Sequence, residues 1–132
     1  RAPWKEQIFL PLDVCSKELM SHDDFKDLES RIKSDRFKAM WESHYATPMF
    51  RKNPSFKNYI WDVLVAAVAI DPSVILESET LPIDVDDQYG YGYGQTMGFR
   101  GAAPEGAQNA KIVYAVDRAK VWKMVEDVFN KL

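Results

Sequence analysis

Cysteine is almost absent from this sequence: 132 residues contain one, Cys15. A single thiol cannot close an internal disulfide, so no covalent cross-link holds the chain and its redox compartment is left open. Histidine is as scarce, with only His22 and His44, and neither lies at ligand spacing from the cysteine or from the other. Basic charge is in deficit: 17 Lys and Arg stand against 20 Asp and Glu, for a net charge of -3 and a pI near 5.4. With no cluster of Lys or Arg interleaved with aromatics, a nucleic-acid partner is not expected. No apolar run reaches bilayer length, which argues against a membrane partner. The opening residues, RAPWKEQIFLPLDV, read as neither a signal nor a transit peptide, and the expectation is that they belong to the interior of a longer protein.

What is present suits a packed core, since 46% of the residues are hydrophobic and 13% aromatic. Gln7 to Val14 reads as a strand buried on both faces, with Pro11 against a central position. Ser21 followed by Asp24 has the spacing of a capping box, and it predicts a helix from about His22 into FKAMWESHY, broken near Ser34 and Asp35. ATPMFRKNPSFKN reads as an exposed loop. An apolar helix opens near Asn58 or Tyr59 and is stopped by Pro72. VILESETLPIDVDD, QYGYGYGQT and TMGF predict a hairpin, and KIVYAV a further strand. Asp117 caps a last helix that sets Val121, Trp122, Val125, Val128, Phe129 and Leu132 on one face. The order β-α-α-β-β-β-α over residues 1–132 makes a single α/β piece. Its sheet is thin for so many aromatics, as a portion of a larger sheet would be.

Few residues in this pattern invite chemistry. Gly90, Gly92 and Gly94 in YGYGYG precede a strand, whereas a phosphate-cradling loop needs a helix after it, so a flexible tip with exposed tyrosines is expected. His22 reads as a first-turn surface residue and Cys15 as a small buried thiol. His44 lies with Trp41, Tyr45 and Phe50 around a segment that could close over a ligand, although packing accounts for them as well. Asp62 stands apart. Ten of the eleven residues from Ile60 to Ile70 are apolar and Asp62 is the exception. An ionised carboxylate on a buried helix costs roughly 2 kcal/mol or more without compensation. A basic side chain, backbone N–H groups or a metal ion would each compensate it, and Trp61 beside it offers a flat face to a planar heterocycle.

Taken together, PLDV with SKELMSHDDFKDLES, then WDVLVAAVAIDPS, GQTMGF and AVDRAKVWKMVEDVF, resemble the C-terminal portion of the calcium-dependent nucleoside hydrolases, the inosine-uridine and purine-preferring N-ribohydrolases. The resemblance runs from about Phe9 to the end. It implies the C-terminal part of a nucleoside-hydrolase-like (Rossmann-like) mixed sheet flanked by helices. It implies that Asp62 is a calcium ligand, with further ligands from outside this chain. It also implies that Trp61 stacks on the leaving base, as in the purine-preferring members, which makes a purine nucleoside such as inosine or guanosine the substrate.

The family's N-terminal Asp-x-Asp-x-x-x-Asp-Asp signature has no counterpart here. DVDD at Asp84 to Asp87 leads into a hairpin, and the Asn- and Glu-containing segment that holds the ribose is also absent. The catalytic residues are therefore expected in a missing N-terminal part of the same enzyme, and this chain alone is expected to be inactive. A homo-oligomer is in keeping with the family. The alternative is a non-catalytic truncated relative that uses the tyrosine hairpin or the HYATPMFRKN loop to bind a sugar-like ligand or a protein.

Overall fold

The larger sheet has four strands, two of them inner and paired on both sides. In the computed structural model of the chain, which describes residues 4–45, 52, 53 and 55–131, β1 is Ile8–Phe9, β4 Ile75–Val85, β5 Thr96–Gly98 and β6 Gln108–Val116, with order β1-β6-β4-β5. The sheet is mixed: β1 runs parallel to β6, with Phe9 opposite Ile112, and β4 runs antiparallel to it. β4 and β5 form the expected hairpin, Ile83 opposite Gly98 and Val85 opposite Thr96. Its connection carries Tyr89, Tyr91 and Tyr93 on an exposed tip, and Gly94 closes it at φ 85°, where a side chain would be strained.

The first strand is shorter than Gln7 to Val14. Pro11 has no N–H to continue the ladder and instead becomes the N-cap of α1, Leu12–Cys15. The apolar character of this segment reflects Val14 and Cys15, which are buried from a helical turn rather than from a strand. A second sheet went unforeseen: β2, Leu19–Ser21, pairs antiparallel with β3, Lys57–Tyr59. Because residues 57–59 are extended, the apolar helix α4 begins later than expected, at Trp61, and runs to Ile70.

The predicted helix beyond His22 is two helices, α2 (His22–Arg31) and α3 (Asp35–Tyr45). Ser21 and Asp24 form the capping box: the Ser21 hydroxyl accepts from the Asp24 amide at 3.2 Å and the Asp24 carboxylate accepts from the Ser21 amide at 2.8 Å. The break holds as read, with the Ser34 hydroxyl accepting the Phe37 amide at 3.2 Å. Asp117 caps α5, Arg118–Phe129, by accepting from the Lys120 amide at 3.0 Å. Val121 is buried on that helix and Trp122, Val125 and Phe129 pack on the core, whereas Val128 turns to solvent; Leu132 lies outside the described residues.

The helices cover one face of the large sheet. Phe25 and Leu28 of α2, Phe37 of α3, Leu64 and Val68 of α4 and Val121 of α5 join Val113 and Val116 of β6 in one core. Phe37 and Phe129 stack with ring centroids 3.9 Å apart.

Helix α4 departs from the reading of a buried helix. Leu64, Ala67 and Val68 are buried, but Trp61 is 44% exposed, Val65 50% and Ile70 71%. Helical periodicity explains the split, because residues three and four apart share a face and only one face of α4 meets the core. Among the described residues no helix is long and apolar enough to cross a membrane.

Candidate functional site

The β3–α4 junction brings the sequence-predicted pair into a groove. β3 ends at Tyr59, Ile60 turns inward as a buried N-cap that makes no side-chain cap bond, and α4 starts with Trp61 and Asp62. The groove encloses about 240 Å³ beside them, and Met20 and Trp122 also line it. Tyr59 lies on Trp61, ring centroids 4.9 Å apart at 30°. Trp61 is therefore a half-open aromatic face at the mouth of an apolar groove, the type of surface on which a planar ring stacks.

Asp62 is exposed on the first turn of α4. The premise that it is a buried charge in need of compensation is corrected by this placement: water and the positive end of the helix solvate it. Among the described residues no partner is seen for it, and no group of three or more His, Cys, Asp or Glu side chains could hold a metal ion. Calcium takes about 6 to 8 oxygen ligands, so one carboxylate does not fit the ion by itself.

The other candidates are dispersed. Cys15 is buried, its thiol pushed up by that burial and pointing to the Leu10 carbonyl at 3.5 Å, in line with an inert core thiol. His22 is half-buried, not a surface residue, and its Nδ1 has no partner among the described residues. His44 falls in α3, but its side chain and those of Trp41 and Tyr45 lie outside the described residues, as do Phe50 and the 46–51 segment. Asp86 serves its own turn, its carboxylate accepting from the Gln88 amide at 3.0 Å and its carbonyl from the Gly94 amide at 2.7 Å. The tyrosine tip leads into β5, as expected of a hairpin and not of a phosphate loop.

Two polar clusters were not foreseen, one beside the site and one at the far end of α4. Arg118, at the start of α5, donates to Glu18 at 3.1 Å, to Asp24 at 2.8 Å and to the Leu19 carbonyl at 2.8 Å, and its guanidinium lies 5.5 Å from the Trp122 ring. Burial raises the Asp24 carboxyl, but bonds from Ser21 and Arg118 outweigh it and hold the group below the ordinary range. At the other end of α4, Asp71 accepts from the Ser73 hydroxyl at 2.5 Å and from Lys120 at 2.9 Å, and these hydrogen bonds, Ser73 first, hold its carboxyl down at about 2. The only local signals were the capping box and the Asp that opens DPS.

Comparison with known proteins gives a consistent result. The family model for inosine-uridine preferring nucleoside hydrolase matches residues 2–123. A plant nucleoside hydrolase structure aligns at TM-score 0.70 with 18% identity, over 96% of this chain and 42% of that one. An inosine-guanosine nucleoside hydrolase aligns at TM-score 0.71 with 17% identity, over 89% of this chain and 36% of that one. The mixed sheet with flanking helices is thus shared with these enzymes, while the chain spans less than half of either structure's length. Comparison with curated protein sequences finds no match.

Proposed function

The chain belongs to the inosine-uridine preferring nucleoside hydrolase family, and from that premise we propose that it forms the C-terminal part of a purine nucleoside N-ribohydrolase, releasing free base and ribose when joined to an aspartate-rich N-terminal part. The observation that carries this reading is the half-open Trp61 ring beside the exposed Asp62 at the mouth of an apolar groove. Trp61 stacks on the purine and holds the leaving base as its bond to ribose C1 breaks. Asp62 is one ligand of a calcium site whose remaining oxygens come from outside this chain. The proposal includes that this chain alone is inactive, since no group of three or more His, Cys, Asp or Glu among the described residues could hold the ion. The uncovered face of α4, with Val65 and Ile70, suits a surface onto which the rest of the enzyme packs.

A second reading rests on the hairpin tip. Tyr89 and Tyr91 are fully exposed, as aromatics kept for a sugar-like ligand or a protein would be in a non-catalytic relative. Native mass spectrometry of the protein from its source, in calcium, separates the two. A longer parent chain or a second aspartate-rich polypeptide, with calcium bound and lost on Asp62→Asn, is the expected result. A lone 15.2 kDa chain that takes up no calcium overturns the hydrolase reading in favour of the module.

A further inference from the structure

The tip of the β4–β5 hairpin is both acidic and aromatic. From Asp84 to Phe99 the chain carries Asp84, Asp86 and Asp87 and no Lys or Arg. Its three tyrosines alternate with glycines and stand in water, Tyr89 at 99%, Tyr91 at 115% and Tyr93 at 65% exposure. The turn that carries them is nevertheless fixed. The Gly94 amide donates to the Asp86 carbonyl at 2.7 Å, the Gln95 amide to the Gly92 carbonyl at 2.8 Å and the Tyr93 amide to the Gly90 carbonyl at 3.3 Å. A Cβ on Gly92 would meet the Asp86 carboxylate at 2.5 Å, so the turn closes only around a glycine there. This backbone brings the Tyr89 and Tyr93 rings together, centroids 6.1 Å apart and inclined at 52°. Among the described residues neither phenol has a hydrogen-bond partner, and Tyr91, between them in sequence, meets no other ring.

We infer that Tyr89 and Tyr93 form a site of oxidative modification, at which peroxide acting through a haem peroxidase joins the two rings of one chain as a dityrosine. The step is a two-electron oxidation. Each phenol gives up one electron and the proton of its O–H, the peroxide O–O bond breaks, and both oxygens leave as water. One carbon ortho to each hydroxyl then joins the other in a new C–C bond, and each ring regains its phenol as the ortho proton moves to oxygen. Coupling requires the centroids to close by about 2 Å, which a χ adjustment at exposed side chains supplies. At about 10 μM chain the paired rings, at an effective concentration on the order of millimolar, meet each other far more often than those of a second copy. Three like charges on each tip further hold two copies apart. The inference is independent of the reading of Trp61 and Asp62.

The test treats the full chain with a haem peroxidase and one equivalent of hydrogen peroxide, then reads dityrosine fluorescence, size on a denaturing gel, mass, and the linked residues by peptide mapping. The expected product runs as a single chain, is lighter by two hydrogens, and links residue 89 to residue 93. Tyr89→Phe and Tyr93→Phe each lower the intrachain yield roughly tenfold, whereas Tyr91→Phe leaves it unchanged. In urea the preference disappears, and links from 89 to 91 and from 91 to 93 form as readily. Three results overturn the inference: a 89-to-93 link no more abundant in the folded chain than the links through 91, the same distribution with and without urea, or fluorescence confined to cross-linked dimers.

Discussion

Helices α4 and α5 are of similar length and pack on the same core, yet they finish their outer faces in opposite ways. The outer face of α5 is polar and closes on itself and its neighbours: Lys123 reaches Asp127 at 2.6 Å, Lys120 holds Asp71, Glu126 accepts from Arg31 at 3.1 Å and Arg118 gathers Glu18 and Asp24. The outer face of α4 is Val65, Ala66, Ala69 and Ile70, and Asp62 is the sole ionisable group on the helix. Exposed pairs such as those on α5 add little stability, but they make a surface that water accepts. An apolar face has no such complement in solvent. A further part of the enzyme, as proposed above, predicts this difference, with α4 as the face onto which that part would pack.

The largest test of that contrast lies on α4 itself. Leu64→Ala, on the buried face, is expected to cost about 2–5 kcal/mol in urea unfolding, because it leaves a cavity between α4 and the core. On α5, Asp117→Ala removes the bond to the Lys120 amide and is expected to cost about 1 kcal/mol by the same measurement.

Acid gives a smaller effect, read as melting temperature against pH. The Asp71 carboxyl lies at about 2 in the folded chain against 3.8 ordinarily, so its contribution is complete above that ordinary value and is lost as pH falls from there toward 2. Lys120→Met should flatten the slope over this window, and an unchanged slope would show that the α4–α5 clamp contributes nothing. Least of all, Val65→Lys on the open face should change stability by no more than about 0.5 kcal/mol, while reducing the binding of a hydrophobic dye. A loss as large as that of Leu64→Ala would mean that α4 is covered within this chain after all.

What could be read from the sequence was largely what is local. The capping box at Ser21, the cap at Asp117 and the hairpin around Gly94 each depend on residues a few positions apart, and each is present. The mixed, helix-flanked sheet followed from the family resemblance. The β2–β3 pairing could not be anticipated, since three-residue strands separated by two helices carry no alternation to betray them. Pro11 signalled a strand end but not that Leu12–Cys15 would turn into a helix. At the site, Trp61 and Asp62 were legible as neighbours, whereas the exposure of Asp62 was not: an apolar composition says that a helix wants cover and leaves open which polypeptide supplies it. Arg118 was invisible for a related reason, because its partners Glu18 and Asp24 are 100 and 94 residues away.

The central place of β6 also bears on the order in which the molecule assembles. β1 hydrogen-bonds in parallel with it, and the long strand β4 lies antiparallel along its other side. Until Gln108–Val116 has been synthesised, β1 has no ladder to join and β4 is paired only with three-residue β5. The β1–β6 ladder thus bridges most of the chain, with Ile8 opposite Lys111, which raises contact order and slows folding. During that interval β4 is an open edge, the species from which aggregates grow, and a chain interrupted before β6 is a substrate for chaperones rather than a smaller version of the domain.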